Sequence, residues 1–172
     1  MSYVDGFVIA VPTARKQEYQ ELAQEMAKRF KVAERFKKKL SLIVTDIDHF
    51  KSVNDTYGHA VGDHVIRGLG EVLRALARET DIVGRFGGEE FCILCEETDA
   101  KGAMQLAERV REELKKRVFE SELGKLKVTA SLGVAAFPDD AKSDKMLFEL
   151  ADKALYTAKQ TGRDRVCSTR KV

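Results

Sequence analysis

The sequence predicts one domain of the α/β class, of the α+β type: a ferredoxin-like sandwich in which helices flank a mainly antiparallel central sheet. Its 172 residues are 44% apolar and 34% charged, which is typical of a single globular domain with a substantial core. Helical and strand-like apolar patterns alternate along the chain. The diglycine Gly87-Gly88 between two strand-like segments predicts a hairpin, which requires antiparallel pairing.

The N-terminal part predicts an extra strand over residues 3–12, which Pro12 ends, and Thr13 is placed to cap the helix that follows. In that helix, apolar side chains recur at intervals of three and four residues and so form one stripe. The stripe consists of Tyr19, Leu22, Met26 and Phe30.

The middle of the chain predicts a strand, two helices and the hairpin. Residues 40–45 are rich in Leu, Ile and Val, as a buried strand requires, and residues 50–58 suit a short helix followed by a turn. A long amphipathic helix comes next, with the apolar stripe Val61, Val65, Leu69, Val72, Leu73 and Leu76. Strands are predicted over residues 82–86 and 90–95. The diglycine between them suits a tight turn, since glycine adopts positive φ without steric cost.

The C-terminal part predicts two further helices and two further strands. A helix covers residues 100–118, and a strand with alternating apolar residues covers 127–137. A second helix covers residues 144–160, with Gly162 placed to end it. A last short strand is predicted over residues 165–168.

Composition argues against several classes of function. The net charge of +2 is too small to favour nucleic-acid binding, and no apolar run is long enough to span a membrane. Cys92 and Cys95 lie three apart in a predicted strand, so they point to opposite faces, which argues against a redox pair or half a zinc site. Three cysteines without a disulfide framework, and an N-terminus without a secretory signal, suit the cytoplasm.

Pairs of carboxylates end or begin two of the predicted strands. Asp46 and Asp48 follow the strand that starts at residue 40, and Glu89 and Glu90 follow the diglycine. Hairpin formation requires no acids at these positions. Two strand ends that carry carboxylates can meet around a hard cation, so the sequence predicts a metal site or acid–base chemistry.

Five motifs support a resemblance to a known family. They are D-I-D-H-F-K at residues 46–51 with N-D at 54–55, G-H-A-V-G-D at 58–63, G-G-E-E-F at 87–91, S-L-G-V at 131–134, and A-D-K-A-L-Y at 151–156 with Lys159 and Gly162-Arg163. In this order and spacing, residues 40–167 resemble the GGDEF family of diguanylate cyclases, named for the glycine–acid hairpin. The G-G-E-E-F string corresponds to an active variant of that hairpin.

The resemblance implies a nucleotide-cyclase palm fold and the condensation of two GTP molecules into cyclic di-GMP and two pyrophosphates. Each subunit of a homodimer would hold one GTP. The resemblance makes Asp46 and Glu89 the catalytic residues, with Glu89 a candidate for helping to deprotonate the attacking 3′-hydroxyl. It implies Mg²⁺, with Mn²⁺ as an alternative, bound by Asp46, the Ile47 carbonyl, Glu89 and Glu90.

The same resemblance assigns the contacts to GTP. Asn54 and Asp63 correspond to the residues that read guanine, and Asp63 can accept from guanine N–H groups that adenine lacks. The phosphates would lie against the backbone near Phe50, Lys51, Lys159 and Arg163. Lys159 and Arg163 are four apart, and we expect them to share one face of the last helix.

A product-binding site is also implied. Arg78 and Asp81 stand before Gly87 at the spacing of the family's R-x-x-D inhibitory site, where they would bind cyclic di-GMP, and Arg109 is a weaker candidate for the same site. The guanidinium group suits phosphate oxygens and the guanine edge. A solvated helix end would also explain R-x-x-D, which is a common string.

The N-terminal part departs from the family. The D-x-L-T-G-L-x-N-R-R segment that usually opens these domains is absent, and the start resembles small bacterial α/β-barrel-like proteins of unassigned function that begin M-x-Y-V-D-G-F-V. We therefore divide the single domain, residues 1–172, into an atypical segment over 1–39 and a catalytic core over 40–168. Two origins fit: an engineered or recombined hybrid, or a divergent natural start. Two functions follow, an active cyclase or an impaired module that binds GTP or cyclic di-GMP without turnover.

Overall fold

A computed structural model describes the backbone of residues 16–169 and the side chains from residue 20 to residue 169. The predicted N-terminal strand over residues 3–12 and the capping residue Thr13 lie outside the described residues, as does the Tyr19 side chain. In the described part, the helices are α1 (Lys16–Phe36), α2 (Phe50–Tyr57), α3 (His59–Leu76), α4 (Ala100–Lys116) and α5 (Asp144–Gln160). The strands are β1 (Leu40–Ile47), β2 (Ile82–Arg85), β3 (Glu90–Glu96), β4 (Phe119–Ser121), β5 (Gly124–Leu126), β6 (Ala130–Phe137) and β7 (Val166–Ser168).

The central sheet has the strand order β2-β3-β1-β6-β7. Three of its pairings, β2 with β3, β3 with β1, and β1 with β6, are antiparallel, and β6 with β7 is parallel. β4 and β5 form a separate hairpin. The mainly antiparallel α+β sandwich predicted from the sequence is confirmed for the described residues.

Helices cover both faces of the sheet, and β1 lies at its centre with every residue buried. Side chains alternate along a strand. Ile43 and Ile47 therefore enter the core formed with α2, α3 and α4, whereas Leu42 and Val44 enter the core formed with α1 and α5. Because both faces of β1 are buried, its sequence is a mostly apolar run rather than an alternation of apolar and polar residues.

The two cysteines of β3 lie on opposite sides of the sheet, as predicted. Cys95 belongs to the core under α3 and α4, and Cys92 belongs to the core under α1 and α5. Both are free thiols, and burial raises the pKa of the Cys92 thiol to about 12. They therefore act as small apolar side chains in the core.

The hairpin between β2 and β3 differs from the prediction in its turn. Four residues connect the strands, and the backbone N–H groups of Phe86 and Gly87 both donate to the Glu90 carbonyl, at 3.1 and 3.3 Å. Neither Gly87 nor Gly88 has a left-handed φ, so the conformational reason for the diglycine was wrong. At Gly87 the reason is space, because an added Cβ would overlap the Glu90 side chain.

The predicted helices and strands between residues 16 and 169 all occur, with small shifts at their ends. The strand predicted over residues 40–45 continues to Ile47, which carries it through the first acid, Asp46. The β4–β5 hairpin was not predicted, because its strands have three residues each and are too short for a periodic signal. None of the helices described in residues 16–169 has an apolar stretch that could cross a membrane.

Candidate active site at the carboxylate end of the sheet

Two strand ends that carry acidic residues meet at the same end of the central sheet. β1 and β3 are antiparallel neighbours, and their register places Asp46, near the end of β1, opposite Glu90, the first residue of β3. Glu89 immediately precedes β3 and is half-buried. Carboxylates from two neighbouring strands are therefore held together by the main-chain hydrogen bonds of the sheet.

A cation from α5 lies against this pair. The Lys159 Nζ is 2.7 Å from Asp46 Oδ2, and the Asp46 residue is only 8% exposed. Burial raises the pKa of Asp46; the Lys159 ammonium opposes this shift, and Glu89 and Asp48 add to it. Burial likewise raises the pKa of Glu90, and the charge of Asp46 raises it further. The site thus concentrates more negative charge than one lysine balances, which favours binding of a further cation.

Asp48 has a structural role beside the site. It is 5% exposed, and its carboxylate accepts hydrogen bonds from the Thr129 and Ser131 hydroxyls, both at 2.7 Å, and from the Asp164 backbone N–H at 3.0 Å. Its own N–H donates to the Thr129 carbonyl. These bonds fix the segment that leaves β1, because they tie it to β6 and to the turn after α5.

The predicted guanine-reading residues lie on either side of the corner between α2 and α3. Gly58, with φ of 81°, joins the two helices in a conformation that suits glycine. Gly62 is buried against Asn54, and a Cβ at Gly62 would overlap the Asn54 side-chain amide. Asp63 follows Gly62 directly and is exposed. The G-H-A-V-G-D string therefore packs Gly62 against half-buried Asn54, one residue before exposed Asp63.

The predicted phosphate-binding residues lie on two elements and one turn. Phe50 and Lys51 occupy the first turn of α2, where Phe50 is buried and Lys51 is exposed. The backbone N–H groups of a helix start are ready-made donors for anions. Lys159 is in the last turn of α5 and reaches Asp46.

Arg163 is not on α5, so the expectation that it shares a helical face with Lys159 was wrong. The helix ends at Gln160, and Gly162 turns the chain with φ of 122°. Arg163 itself has φ of 60°, and its N–H donates to the Ala158 carbonyl at 3.0 Å. The spacing of four residues spans a helix end, and helical periodicity stops there.

Arg78, Asp81 and Arg109 line one groove of about 620 Å³. The Arg78 N–H donates to Asp81 Oδ2 at 2.8 Å, and the Asp81 N–H donates to the Arg78 carbonyl at 3.0 Å, so the R-x-x-D string forms a closed turn before β2. Arg109 contributes from α4. The structure thus brings together all three residues predicted for the product site.

The family model for the GGDEF domain of diguanylate cyclases matches residues 15–165. This chain is a GGDEF domain. The match begins ahead of α1 and so includes that helix along with the five motifs. The boundary placed between residues 39 and 40, and the origin of the first residues, stay predictions.

Curated relatives carry the same domain. The chain is 43% identical over 130 residues to diguanylate cyclase A of Treponema denticola, covering 76% of this chain and 35% of that protein. It is 41% identical over 147 residues to diguanylate cyclase DgcP of Pseudomonas aeruginosa, covering 86% of this chain and 21% of that protein. This GGDEF domain thus spans about a third or less of the length of these relatives.

Solved structures show the same fold. The active GGEEF domain of a diguanylate cyclase from Vibrio cholerae superposes with a TM-score of 0.82 at 33% identity, covering 89% of this chain and 97% of that chain. The GGDEF domain of DgcB from Caulobacter crescentus, in complex with c-di-GMP, also gives 0.82 at 33% identity, covering 87% and 88%. The predicted nucleotide-cyclase palm fold is confirmed.

GGDEF diguanylate cyclases generally use divalent metal ions, and the donors of this GGDEF domain suit one. No group of three His, Cys, Asp or Glu side chains between residues 16 and 169 is arranged to hold a metal by itself. Carboxylate oxygens from Asp46 and Glu90, where the charge of Asp46 helps to raise the pKa of Glu90, are nevertheless the hard ligands that Mg²⁺ prefers. Mg²⁺ commonly takes few protein ligands and completes its shell with phosphate and water.

Sequence reasoning missed one acid near the site. Burial raises the pKa of Asp152 on α5, and the nearby Lys159 ammonium opposes that shift; Asp152 also raises the pKa of Glu90. The signal was present as spacing, because Asp152 and Lys159 are seven residues apart, which is about two helical turns. The sequence alone does not give the register of the sheet, so it gave no reason to place that face of α5 near Glu90.

Proposed function

We propose that this GGDEF domain is a diguanylate cyclase catalytic domain, which condenses two GTP molecules into cyclic di-GMP and two pyrophosphates. The observation that carries the proposal is the pairing of Asp46 with Glu90 across β1 and β3, beside Glu89 and the Lys159 ammonium. Phosphoryl transfer depends mainly on positioning and on charge neutralisation, which such a site supplies. Two domains would face each other as a homodimer, each with one GTP.

The metal-binding residues in this proposal are Asp46, the Ile47 carbonyl, Glu89 and Glu90. When bound, Mg²⁺, or Mn²⁺ in its place, neutralises phosphate charge and lowers the pKa of an oxygen that it contacts. Asp46 is buried and Glu90 is half-buried, which supports this assignment, since both carboxylates are costly to keep charged without a cation.

The chain's own residues hold the substrate. Asn54 and Asp63 bind the guanine edge, and the carboxylate of Asp63 accepts from the N1–H and N2–H₂ groups, which adenine does not offer. Phosphate oxygens receive hydrogen bonds from the backbone at Phe50 and charge from three basic side chains. These are Lys51, Lys159 and Arg163.

The reaction forms one phosphodiester bond for each pyrophosphate released. The 3′-hydroxyl oxygen of one GTP attacks the α-phosphorus of the other, and the bond from that phosphorus to pyrophosphate breaks. In this proposal Glu89 accepts the hydroxyl proton, and a bound Mg²⁺ would reduce the need for a base. The same step with the roles of the two nucleotides exchanged closes the ring.

A second candidate function is a module that binds nucleotide without turnover. The observation that favours it is the groove, where Arg78, Asp81 and Arg109 stand together within a single subunit. Cyclic di-GMP could bind there whether or not two active sites face each other. In the leading proposal, the same groove serves as the inhibitory product site.

The deciding experiment incubates the protein with GTP and Mg²⁺ and separates cyclic di-GMP and pyrophosphate by chromatography. We expect product, a rate per subunit that rises with protein concentration as dimers form, and a loss of roughly 100-fold or more in Glu89→Gln. Glu97→Gln, at an exposed position immediately after β3, is the matched control. Cyclic di-GMP binding without any product would establish the second candidate instead.

A further inference from the structure

The turn that carries Arg163 has an unfavourable backbone conformation. Gly162, Arg163 and Asp164 have φ values of 122°, 60° and 46° in succession. Residues other than glycine adopt left-handed φ at a steric cost, and such conformations persist where the surrounding structure holds them. The contacts of this turn therefore show what fixes the position of Arg163.

The Asp164 carboxylate is held by two cations of α4. Arg111 Nη1 is 2.6 Å from Oδ1, and Lys115 Nζ is 2.7 Å from Oδ2. The two basic residues are four apart, so they lie on one face of the helix. The Arg111 side chain is only 13% exposed, which shields the ion pair from solvent, and it also pairs with Glu108, at 2.8 Å, and with Glu112.

The backbone of Asp164 is held from the other side by the candidate active site. Its N–H donates to Asp48 Oδ2 at 3.0 Å, and Asp48 is two residues beyond Asp46. The turn is thus attached both to α4 and to the segment between β1 and α2. Arg163 comes immediately before the residue that makes all of these contacts.

A carboxylate next to a phosphate-binding arginine requires neutralisation, because an uncompensated negative charge would repel the substrate. Burial raises the pKa of Asp164, but its bonds with Lys115 and Arg111 more than offset this and hold the pKa below its ordinary value. Asp164 is therefore charged at neutral pH, and its carboxylate is paired with Lys115 and with Arg111, which Glu108 and Glu112 also contact.

We propose that Asp164, held by Arg111 and Lys115, is a positioning residue that fixes Arg163 for binding the phosphates of GTP. This inference rests on the proposed function, in which Arg163 contacts phosphate. Asp164 itself makes no contact with GTP and acts through the backbone of the turn. A small displacement of a phosphate-binding group is enough to weaken a site substantially.

The test is a double-mutant cycle between Asp164→Asn and Arg163→Ala, with the dissociation constant of a non-hydrolysable GTP analogue and Mg²⁺ as the readout. Asparagine also tolerates left-handed φ, so Asp164→Asn removes the charge without adding backbone strain. We expect Asp164→Asn alone to weaken binding about tenfold, equivalent to about 1.4 kcal/mol. In the Arg163→Ala background, we expect it to have no further effect.

Two variants of α4 complete the test. Arg111→Met keeps the buried stem and removes the charge, so it should weaken GTP binding in the same way as Asp164→Asn and be non-additive with it. Lys116→Met is the matched control on the same helix, because Lys116 pairs with exposed Glu113, at 3.6 Å, rather than with Asp164. If Arg111→Met folds poorly, Lys115→Met removes one of the two cations from a half-exposed position.

Each result separates the two proposals. A wild-type chain that neither binds nor turns over GTP overturns the proposed function and this inference together. A wild-type chain that makes cyclic di-GMP, with Asp164→Asn either harmless to GTP affinity or fully additive with Arg163→Ala, overturns only the positioning role. A tenfold loss that disappears in the Arg163→Ala background supports it, since a general loss of structure would weaken both backgrounds.

Discussion

The Glu90 carboxylate lies directly against Gly87, in the space where any other residue would have a Cβ. We expect Gly87→Ala to displace Glu90 from Asp46 and to lower the rate of cyclic di-GMP formation at least about tenfold, since displacements near 1 Å cost up to about 100-fold. Thermal unfolding should change little, because Gly87 belongs to a partly exposed turn. Initial rates and melting temperatures of the two proteins measure both effects.

Gly88→Ala is the matched control for this substitution. An added Cβ at Gly88 has no atom within 4 Å, and neither glycine has a left-handed φ. The two variants therefore differ in the contact with Glu90 rather than in backbone strain. Equal losses of rate would show that the turn tolerates no side chain at all, and would contradict the steric role given to Gly87.

At this scale the sequence predicted the acids but not their partners. Asp46, Glu89 and Glu90 were recognisable because each lies at the end of a strand-like pattern. The hydroxyls that hold Asp48 belong to Thr129 and Ser131, 81 and 83 positions away in the chain. Contacts of that kind depend on the register between β1 and β6, and this register cannot be predicted from the local periodicity of the sequence.

The backbones of β6 and α5 approach each other closely at Gly133. A Cβ at this position would overlap the Ala151 carbonyl oxygen and the Leu155 nitrogen, both main-chain atoms that cannot rotate away. We expect Gly133→Ala to lower the free energy of unfolding by about 3 kcal/mol or more, at the upper end of the range for overpacked cores. Because Lys159 is carried by α5, the ion pair with Asp46 should be disturbed as well.

Gly70→Ala provides the contrasting variant. Gly70 is buried within α3, and the nearest atom to an added Cβ belongs to Phe91 at an ordinary 3.7 Å. Alanine is favoured over glycine inside a helix by up to about 1 kcal/mol, so this variant should unfold at higher denaturant concentration than the wild type. If urea titrations showed that Gly133→Ala and Gly70→Ala both destabilise the protein, the distinction between rigid main-chain neighbours and a side-chain neighbour would be refuted.

The sequence predicted the ends of helices and strands where the local signals were strong. It did not predict elements that were very short. The prediction for residues 144–160 matches α5, and the following Gly162 marks its C-terminal end. The same glycine meant that Arg163 lay beyond the helix, which the spacing argument overlooked. β4 and β5 carry Glu120 and Lys125 opposite each other and few apolar residues, so nothing in their composition marked strands.

Across the whole molecule, the groove and the carboxylate site lie at opposite ends of β2. Arg78 and Asp81 precede this strand and the glycine–acid turn follows it. A strand of four residues spans about 13 Å, so a ligand in the groove and GTP at the carboxylates would not touch. Feedback by product therefore requires either a shift of the hairpin or a change in how two domains meet.

Because the two sites are separate, a substitution in the groove should change product binding without changing turnover. We expect Arg78→Ala to weaken cyclic di-GMP binding roughly tenfold or more, because a hydrogen bond to a charged group contributes about 1.5–3 kcal/mol. The bond from the N–H of residue 78 to the Asp81 carboxylate remains in this variant, so the turn should keep its shape. Initial rates measured before product accumulates should stay at the wild-type value, while progress curves should remain linear for longer.

Arg74→Ala is the control, since Arg74 lies in the last turn of α3 and is exposed but does not line the groove. Calorimetric titration with cyclic di-GMP and progress curves with GTP should leave this control unchanged. Loss of the initial rate in Arg78→Ala would mean that the groove contributes to turnover itself. Unchanged cyclic di-GMP affinity would remove the groove as the product site, and feedback would then have to act at the carboxylate end, where product competes with GTP.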